Sequence, residues 1–171
     1  MLKNHSLTFL KPFVLVGLPK SGKTTLARSL SDQYGLKFID LDEVLEGRFS
    51  LSIREIFIKL GEQQFRELEH KVFQELLDLD FSILSVGGGF RIAPSVSRYQ
   101  ILWIRVPFKV VYNRLNLDAP YLKSRSVEHF IKEREDFYQS VANLEIELTG
   151  IDLKYDTYCL WEAIVSANRS S

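Results

Sequence analysis

Apolar residues along the chain follow two rhythms. Short runs rich in Val, Ile, Leu and Phe alternate with longer stretches in which apolar positions recur every three or four residues. The short runs read as strands: Phe13–Val16 (FVLV), then 36–40 (LKFID), 81–86 (FSILSV), 100–106 (QILWIRV) and 144–148 (LEIEL). The longer stretches read as helices. Residues 25–34 put Leu26, Leu30 and Tyr34 on one face, with Gly35 at the C-cap. A short helix is expected over 41–49. A long amphipathic one is expected over 52–78, carrying Ile53, Ile56, Phe57, Leu60, Phe65, Leu68, Val72, Phe73, Leu76 and Leu77, with Gly61 as the point that splits it. Further helices are expected over 109–117, over 126–144 with Ser126 as cap, and over 155–167. Strands alternating with helices predict an α/β domain: a parallel sheet with helices on both faces and ligands at the carboxyl ends of its strands. No repeat, low-complexity tract or linker interrupts the pattern, so residues 1–171 are read as one domain.

Composition narrows the function classes. The 171 residues are 46% apolar and 26% charged, ordinary for a globular domain with a real core. Lys plus Arg and Asp plus Glu both total 22, which argues against a nucleic-acid surface built by bulk charge. Three His and the lone Cys159 are too few for a zinc framework, and Cys159 has no internal disulfide partner, which fits a reducing compartment. The start, MLKNHSLTFLKPFVLVG, reads as neither signal peptide nor membrane span, so the expected location is the cytoplasm.

Chemistry enters at GLPKSGKTT, Gly17 to Thr25. Gly17, Gly22, Lys23 and Thr24 fit G-x-x-x-x-G-K-[ST], between an expected strand and an expected helix. In that setting successive backbone N–H groups form a nest for phosphate, and the helix N-terminus adds partial positive charge. Lys23 would serve the β- and γ-phosphates, and the Thr24 hydroxyl would ligate Mg²⁺. A glycine-rich turn without a ligand is the plainer alternative.

Other candidates cluster at expected strand ends. Asp40 and Asp42 flank Leu41, and an extended backbone would put both carboxylates on one side. One would meet a metal shell and the other would accept a hydroxyl proton, unless they only cap a helix. Arg66 has Glu62 four residues before it and Glu69 three after it. This is either a solvated salt-bridge helix or a guanidinium held rigid by two carboxylates to grip a substrate carboxylate. Arg134, among acidic neighbours, reads by itself as part of a solvated face. Gly87-Gly88-Gly89 offers free φ and bare backbone, either for a tight turn or for a ligand ring lying on it.

Together these residues resemble the shikimate kinase family along nearly the whole chain. The phosphate loop, Asp40-Leu41-Asp42, the segment Gly61, Glu62, Phe65, Arg66, Glu69, the glycine triplet, and Arg134 with Tyr138 match the family's motifs in order and spacing. The resemblance implies a single-domain, three-layer P-loop kinase fold, nucleoside-monophosphate-kinase-like, with a five-stranded parallel sheet. It implies a substrate-binding segment at about residues 40–70 and a mobile lid at about 116–126. It implies Mg²⁺-dependent transfer of the ATP γ-phosphate to the 3-hydroxyl of shikimate by a monomer without nucleic-acid or membrane partners. Lys23 and Asp42 become the catalytic pair. Gly17, Lys20, Ser21, Gly22, Lys23, Thr24, Thr25 and Arg114 become ATP-binding, with Arg114 near the adenine. Asp42, Arg66, Gly87, Gly88, Gly89 and Arg134 become substrate-binding, Phe57 and Phe65 pocket walls, and Thr24 and Asp40 metal-binding. A kinase for another hydroxy acid such as gluconate, and a silent nucleotide-binding module, remain alternatives.

Two departures stand out. Lys20 occupies a loop position that is usually Gly in the family, tolerable at negative φ and costing about 1 kcal/mol or more otherwise. The family's lid carries Arg-Pro-Leu-Leu, whereas this chain has Ala119-Pro120-Tyr121-Leu122. Lys123 and Arg125 are the candidate substitutes, Arg125 preferred for its fork.

Overall fold

A computed structural model describes residues 10–94, 98–115 and 126–169. Its strands are β1 (Phe13–Val16), β2 (Phe38–Asp40), β3 (Ile83–Ser85), β4 (Gln100–Arg105) and β5 (Leu144–Glu147). Its helices are α1 (Lys23–Tyr34), α2 (Leu41–Phe49), α3 (Ile53–Leu76), α4 (Phe108–Arg114), α5 (Val127–Val141) and α6 (Leu153–Arg169). The five strands form one sheet in the order β2-β3-β1-β4-β5, every pairing parallel.

All four residues of β1 are buried, because this central strand is covered on both sides. Register aligns Leu15 with Ser85 and Val16 with Trp103. The chain leaves β1 toward β2 and β3 on one side and returns to β4 on the other. The phosphate loop therefore opens at the switch point where such sheets bind ligands. Leu26, Ala27 and Leu30 anchor α1 in the core, and Tyr34 stacks flat on Trp161 of α6 with ring centroids 3.9 Å apart.

Helix boundaries moved from their expected places for identifiable reasons. Gly22 and the loop behind it let α1 begin at Lys23, two residues earlier than the apolar pattern indicates. Ser52 and Glu55 form a reciprocal capping box that starts α3. Gly61, at φ 76° and ψ 168°, kinks that helix where the sequence predicts a break. Helix α4 stops at Arg114, and α5 stops at Val141, short of the expected 144, because Asn143 turns back to the sheet and its side chain accepts the Ile101 N–H. Strand assignment shortens most at β2 and β3, three residues each. The lid expected over 116–126 lies outside the described residues except for Ser126, which caps α5. Ala119, Lys123 and Arg125 lie outside them as well.

Candidate active site

A cavity of about 830 Å³ opens at the carboxyl ends of β1, β2 and β3. The phosphate loop forms one part of its wall, contributing Pro19, Lys20, Gly22, Lys23, Thr24 and Thr25. Lys23 is buried within that loop. Its ammonium donates to the carbonyls of Gly17 and Leu18, both at 3.0 Å, and to Ser21 Oγ at 3.4 Å. All three N–H groups are thus spent on the chain's own loop. Burial lowers the Lys23 pKa to about 8, against the upward pull of Asp42 and Asp40.

Opposite the loop, Asp40 ends β2 and Asp42 sits in the first turn of α2. They do not share an extended segment as expected, because the helix begins at Leu41 between them. One carboxylate does two jobs instead. Asp40 Oδ1 accepts the N–H groups of Asp42 (2.9 Å) and Glu43 (3.2 Å), capping α2, while Oδ2 accepts the Thr24 hydroxyl at 2.7 Å. Asp42 faces the cavity. Burial, then the negative charges of Asp40 and Glu69, raise its pKa to about 7, with Lys23 opposing.

The far wall comes from α3. Phe57 and Phe65 meet edge to face with centroids 5.3 Å apart, and Arg66 donates to Glu69 at 2.5 Å. Only 2% of the Glu69 side chain is exposed, against 22% for Arg66, so the pair is anchored from the protein side and offers its guanidinium outward. The expected second carboxylate, Glu62, is exposed and lies just past the Gly61 kink. The Arg66 ion pair is with Glu69.

The glycine triplet follows β3, and of the two properties expected of it, free φ and bare backbone, it uses the second. None of the three adopts a left-handed φ. What they supply is room. A Cβ on Gly87 would approach Asp42 Oδ1 to 3.0 Å, one on Gly88 would meet the Pro19 nitrogen at 2.4 Å, and one on Gly89 would meet Arg66 Nη2 at 2.7 Å. The turn is pressed against Pro19 of the phosphate loop, Asp42 and Arg66 at once.

Comparison with known proteins now decides the family. The family model described as shikimate kinase matches residues 19–155. The shikimate kinase of Staphylococcus aureus (strain MRSA252) is 34% identical over 134 residues, 75% of each chain. The chain belongs to the shikimate kinase family. Among solved structures, the shikimate kinase of Acinetobacter baumannii in complex with shikimate superposes with a TM-score of 0.82 at 26% identity, covering 96% of this chain and 98% of that one. A gluconokinase from Sinorhizobium meliloti shares the fold alone, with a TM-score of 0.59 at 9% identity over 95% of each chain.

Within this shikimate kinase fold the expected residues separate into two groups. Lys20, Gly22, Lys23, Thr24, Thr25, Asp42, Arg66, the three glycines and Arg114 line the cavity, as do Phe57 and Phe65. Gly17, Ser21, Asp40 and Arg134 stand behind that lining. Arg114 reaches the loop from α4, donating to the Gly150 carbonyl and, at 3.4 Å, to that of Lys20. Arg134 is buried, not part of a solvated face. Its Nη1 donates to the Gly89 carbonyl at 3.1 Å, and its buried Nε has no partner among the described residues. Lys20 takes φ 64°, the left-handed conformation that a non-glycine residue adopts at a cost. Sequence reasoning missed Ile53 and Arg54, which also line the cavity. Arg54 follows a capping serine and an apolar residue, so its pattern resembled any solvated first turn.

Among the described residues no cluster of three or more His, Cys, Asp or Glu is arranged to hold a metal. The Thr24 hydroxyl, backed by Asp40, is the kind of sparse donor set that suits Mg²⁺ carried on phosphates. No helix among the described residues is long and apolar enough to cross a membrane.

Proposed function

We propose that this chain phosphorylates the 3-hydroxyl of shikimate at the expense of ATP, giving shikimate 3-phosphate. One observation carries the reading: a single cavity is lined at once by the phosphate loop, by Asp42 and by Arg66. Donor, base and acceptor anchor thus share one space. Asp42, with a pKa of about 7, is poised to take the hydroxyl proton. Arg66, oriented by Glu69, suits the substrate carboxylate, and Phe57 and Phe65 suit the apolar faces of its ring. Arg134 supports the same end of the pocket from behind, its Nη1 holding the Gly89 carbonyl beside Arg66. Thr24 and Asp40 would hold Mg²⁺, which when bound neutralises charge on the phosphate oxygens. The rest of catalysis is positioning, with little covalent work for the protein.

The Acinetobacter baumannii relative was solved with shikimate, which supports the acceptor over gluconate. A formal net charge of zero supports a small-molecule partner rather than a nucleic acid. On this reading the chain is one kinase domain, acting as a monomer in the cytoplasm, with its lid near 116–126. The test is coupled ADP formation under saturating Mg²⁺ with shikimate, with gluconate and with neither. Shikimate should stimulate strongly and gluconate should not. A rate with shikimate no higher than the ATP-only background would reject the assignment.

A further inference from the structure

Asp156 sits in the first turn of α6, 2% exposed, and is not among the residues that line the cavity. A carboxylate taken out of water must be met by donors. Three come from one turn just past β5. Oδ1 accepts the Thr149 N–H at 2.8 Å, and Oδ2 accepts the Gly150 N–H at 2.8 Å and the Thr149 hydroxyl at 3.1 Å. The Thr149 hydroxyl oxygen in turn accepts the N–H groups of Ile151 (3.2 Å) and Asp152 (3.1 Å). Residues 149–152 are thus fixed by Asp156, directly or through one hydroxyl. The turn itself is seated on the structure that carries Arg114. A Cβ on Gly150, at φ 71°, would meet Val106 Cγ1 at 2.3 Å and Val110 Cγ1 at 3.1 Å. Val110 and Arg114 share one face of α4. Arg114 donates to the Gly150 carbonyl through Nη2 and to the Lys20 carbonyl, at 3.4 Å, through Nη1. A guanidinium carries five N–H groups in one plane. Two carbonyls hold this one beside the phosphate loop, where it lines the cavity, and its other donors and flat face stay available.

We propose that Asp156 is a positioning residue for the nucleotide: it fixes the Thr149–Gly150 turn, the turn holds Arg114, and Arg114 meets the nucleotide. This rests on the kinase reading above. Asn at position 156 would turn an NH₂ group toward one of the two backbone N–H groups, donor against donor. The turn would lose a hydrogen bond, and Arg114 its fixed partner.

Calorimetry with MgADP alone tests it, without turnover. Arg114→Ala should weaken MgADP binding about tenfold, the loss expected for a charge-assisted hydrogen bond. Asp156→Asn should weaken it about fivefold and leave shikimate affinity within about twofold of wild type. The double variant should lie within about twofold of Arg114→Ala, because Asp156 reaches the nucleotide only through that side chain. A merely structural aspartate would loosen both ligands, and its effect would multiply with that of Arg114→Ala. If Asp156→Asn does not fold, Thr149→Val carries the test. It removes only the hydroxyl and should weaken MgADP about two- to threefold, again only while Arg114 is present. Wild-type MgADP affinity in Arg114→Ala, or in the folded Asp156 or Thr149 variant, overturns the proposal, and so do multiplying effects. A wild type that binds MgADP but neither binds nor phosphorylates shikimate counts instead against the kinase reading.

Discussion

The Thr24 hydroxyl donates to Asp40 across 2.7 Å, joining the first turn of α1 to the end of β2. The same carboxylate caps α2, so on the proposed reading metal support and helix start rest on one side chain. Asn at position 40 keeps an oxygen for the cap and loses the charge. Asp40→Asn should therefore need several-fold more Mg²⁺ for half-maximal rate, with Tm little changed. Asp40→Ala should also lose the cap, at a cost of about 1 kcal/mol. Mg²⁺ titration at fixed ATP and a thermal melt separate the two. A wild-type Mg²⁺ requirement in Asp40→Asn would leave Asp40 as a cap alone.

Asp42 should make the enzyme pH-dependent in a defined direction. Its ionised form, the competent base on the proposed reading, dominates above about 7, and Lys23 loses its charge above about 8. With both substrates far below KM, the rate reports the free enzyme, and it should rise through pH 7 and fall past pH 8. Asp42→Asn should remove the lower limb and reduce kcat about 10²- to 10⁴-fold. Stability should move the other way. A carboxyl raised on folding binds more protons folded than unfolded, so its ionisation costs stability progressively from about pH 4 to about 7. The variant should gain Tm over wild type across that window and hold the gain above it. No gain at pH 8 would mean that Asp42 is not held in a costly site.

Arg66→Lys should raise the shikimate KM about tenfold or more and leave the ATP KM unchanged. A point charge cannot replace a fork, and losing one charge-assisted bond is worth about that factor. Glu69→Gln should raise the same KM less, because Arg66 keeps its charge but loses its anchor. The double variant should be far from additive, since the two side chains act as one unit. Additive effects would mean that Glu69 does not orient Arg66.

Much of this was legible in the sequence. The strand rhythm located all five strands, and the phosphate loop declared itself by spacing. The rest depended on contacts that no local pattern encodes. Arg134 sits in KEREDFY, which reads as solvated until α5 is packed on β4 and its guanidinium turns under the Gly89 carbonyl. The glycine triplet suggested free φ and bare backbone, but that the bare backbone makes space beside Pro19 and Arg66, distant in sequence, was not visible. Asp40 and Asp42 read either as an extended pair or as caps of the helix expected from Leu41; Asp40 proves to be the cap, and that its other oxygen meets Thr24 was not visible in the local pattern.

Lys20 sets a last test, in which stability and affinity should part. Its φ of 64° costs a side-chain-bearing residue roughly 1–2 kcal/mol relative to a relaxed backbone. Glycine at that position removes the strain but adds roughly 0.4–1 kcal/mol of unfolded-state entropy to be lost. The balance favours Lys20→Gly by roughly 0–1.6 kcal/mol, a Tm rise of up to about 6 °C for a chain of this size. The ammonium is exposed at the cavity edge, where attraction for a polyanionic nucleotide acts through solvent. Removing it should raise the ATP KM a few-fold at low ionic strength, and the difference should fade as salt shortens the screening length to about 8 Å near physiological strength and below that at higher salt. Thermal melts and ATP saturation curves at two salt concentrations measure both. A Tm that falls would show that the left-handed lysine is relaxed in place. A KM that does not move at low salt would confine Lys20 to its backbone role in the loop.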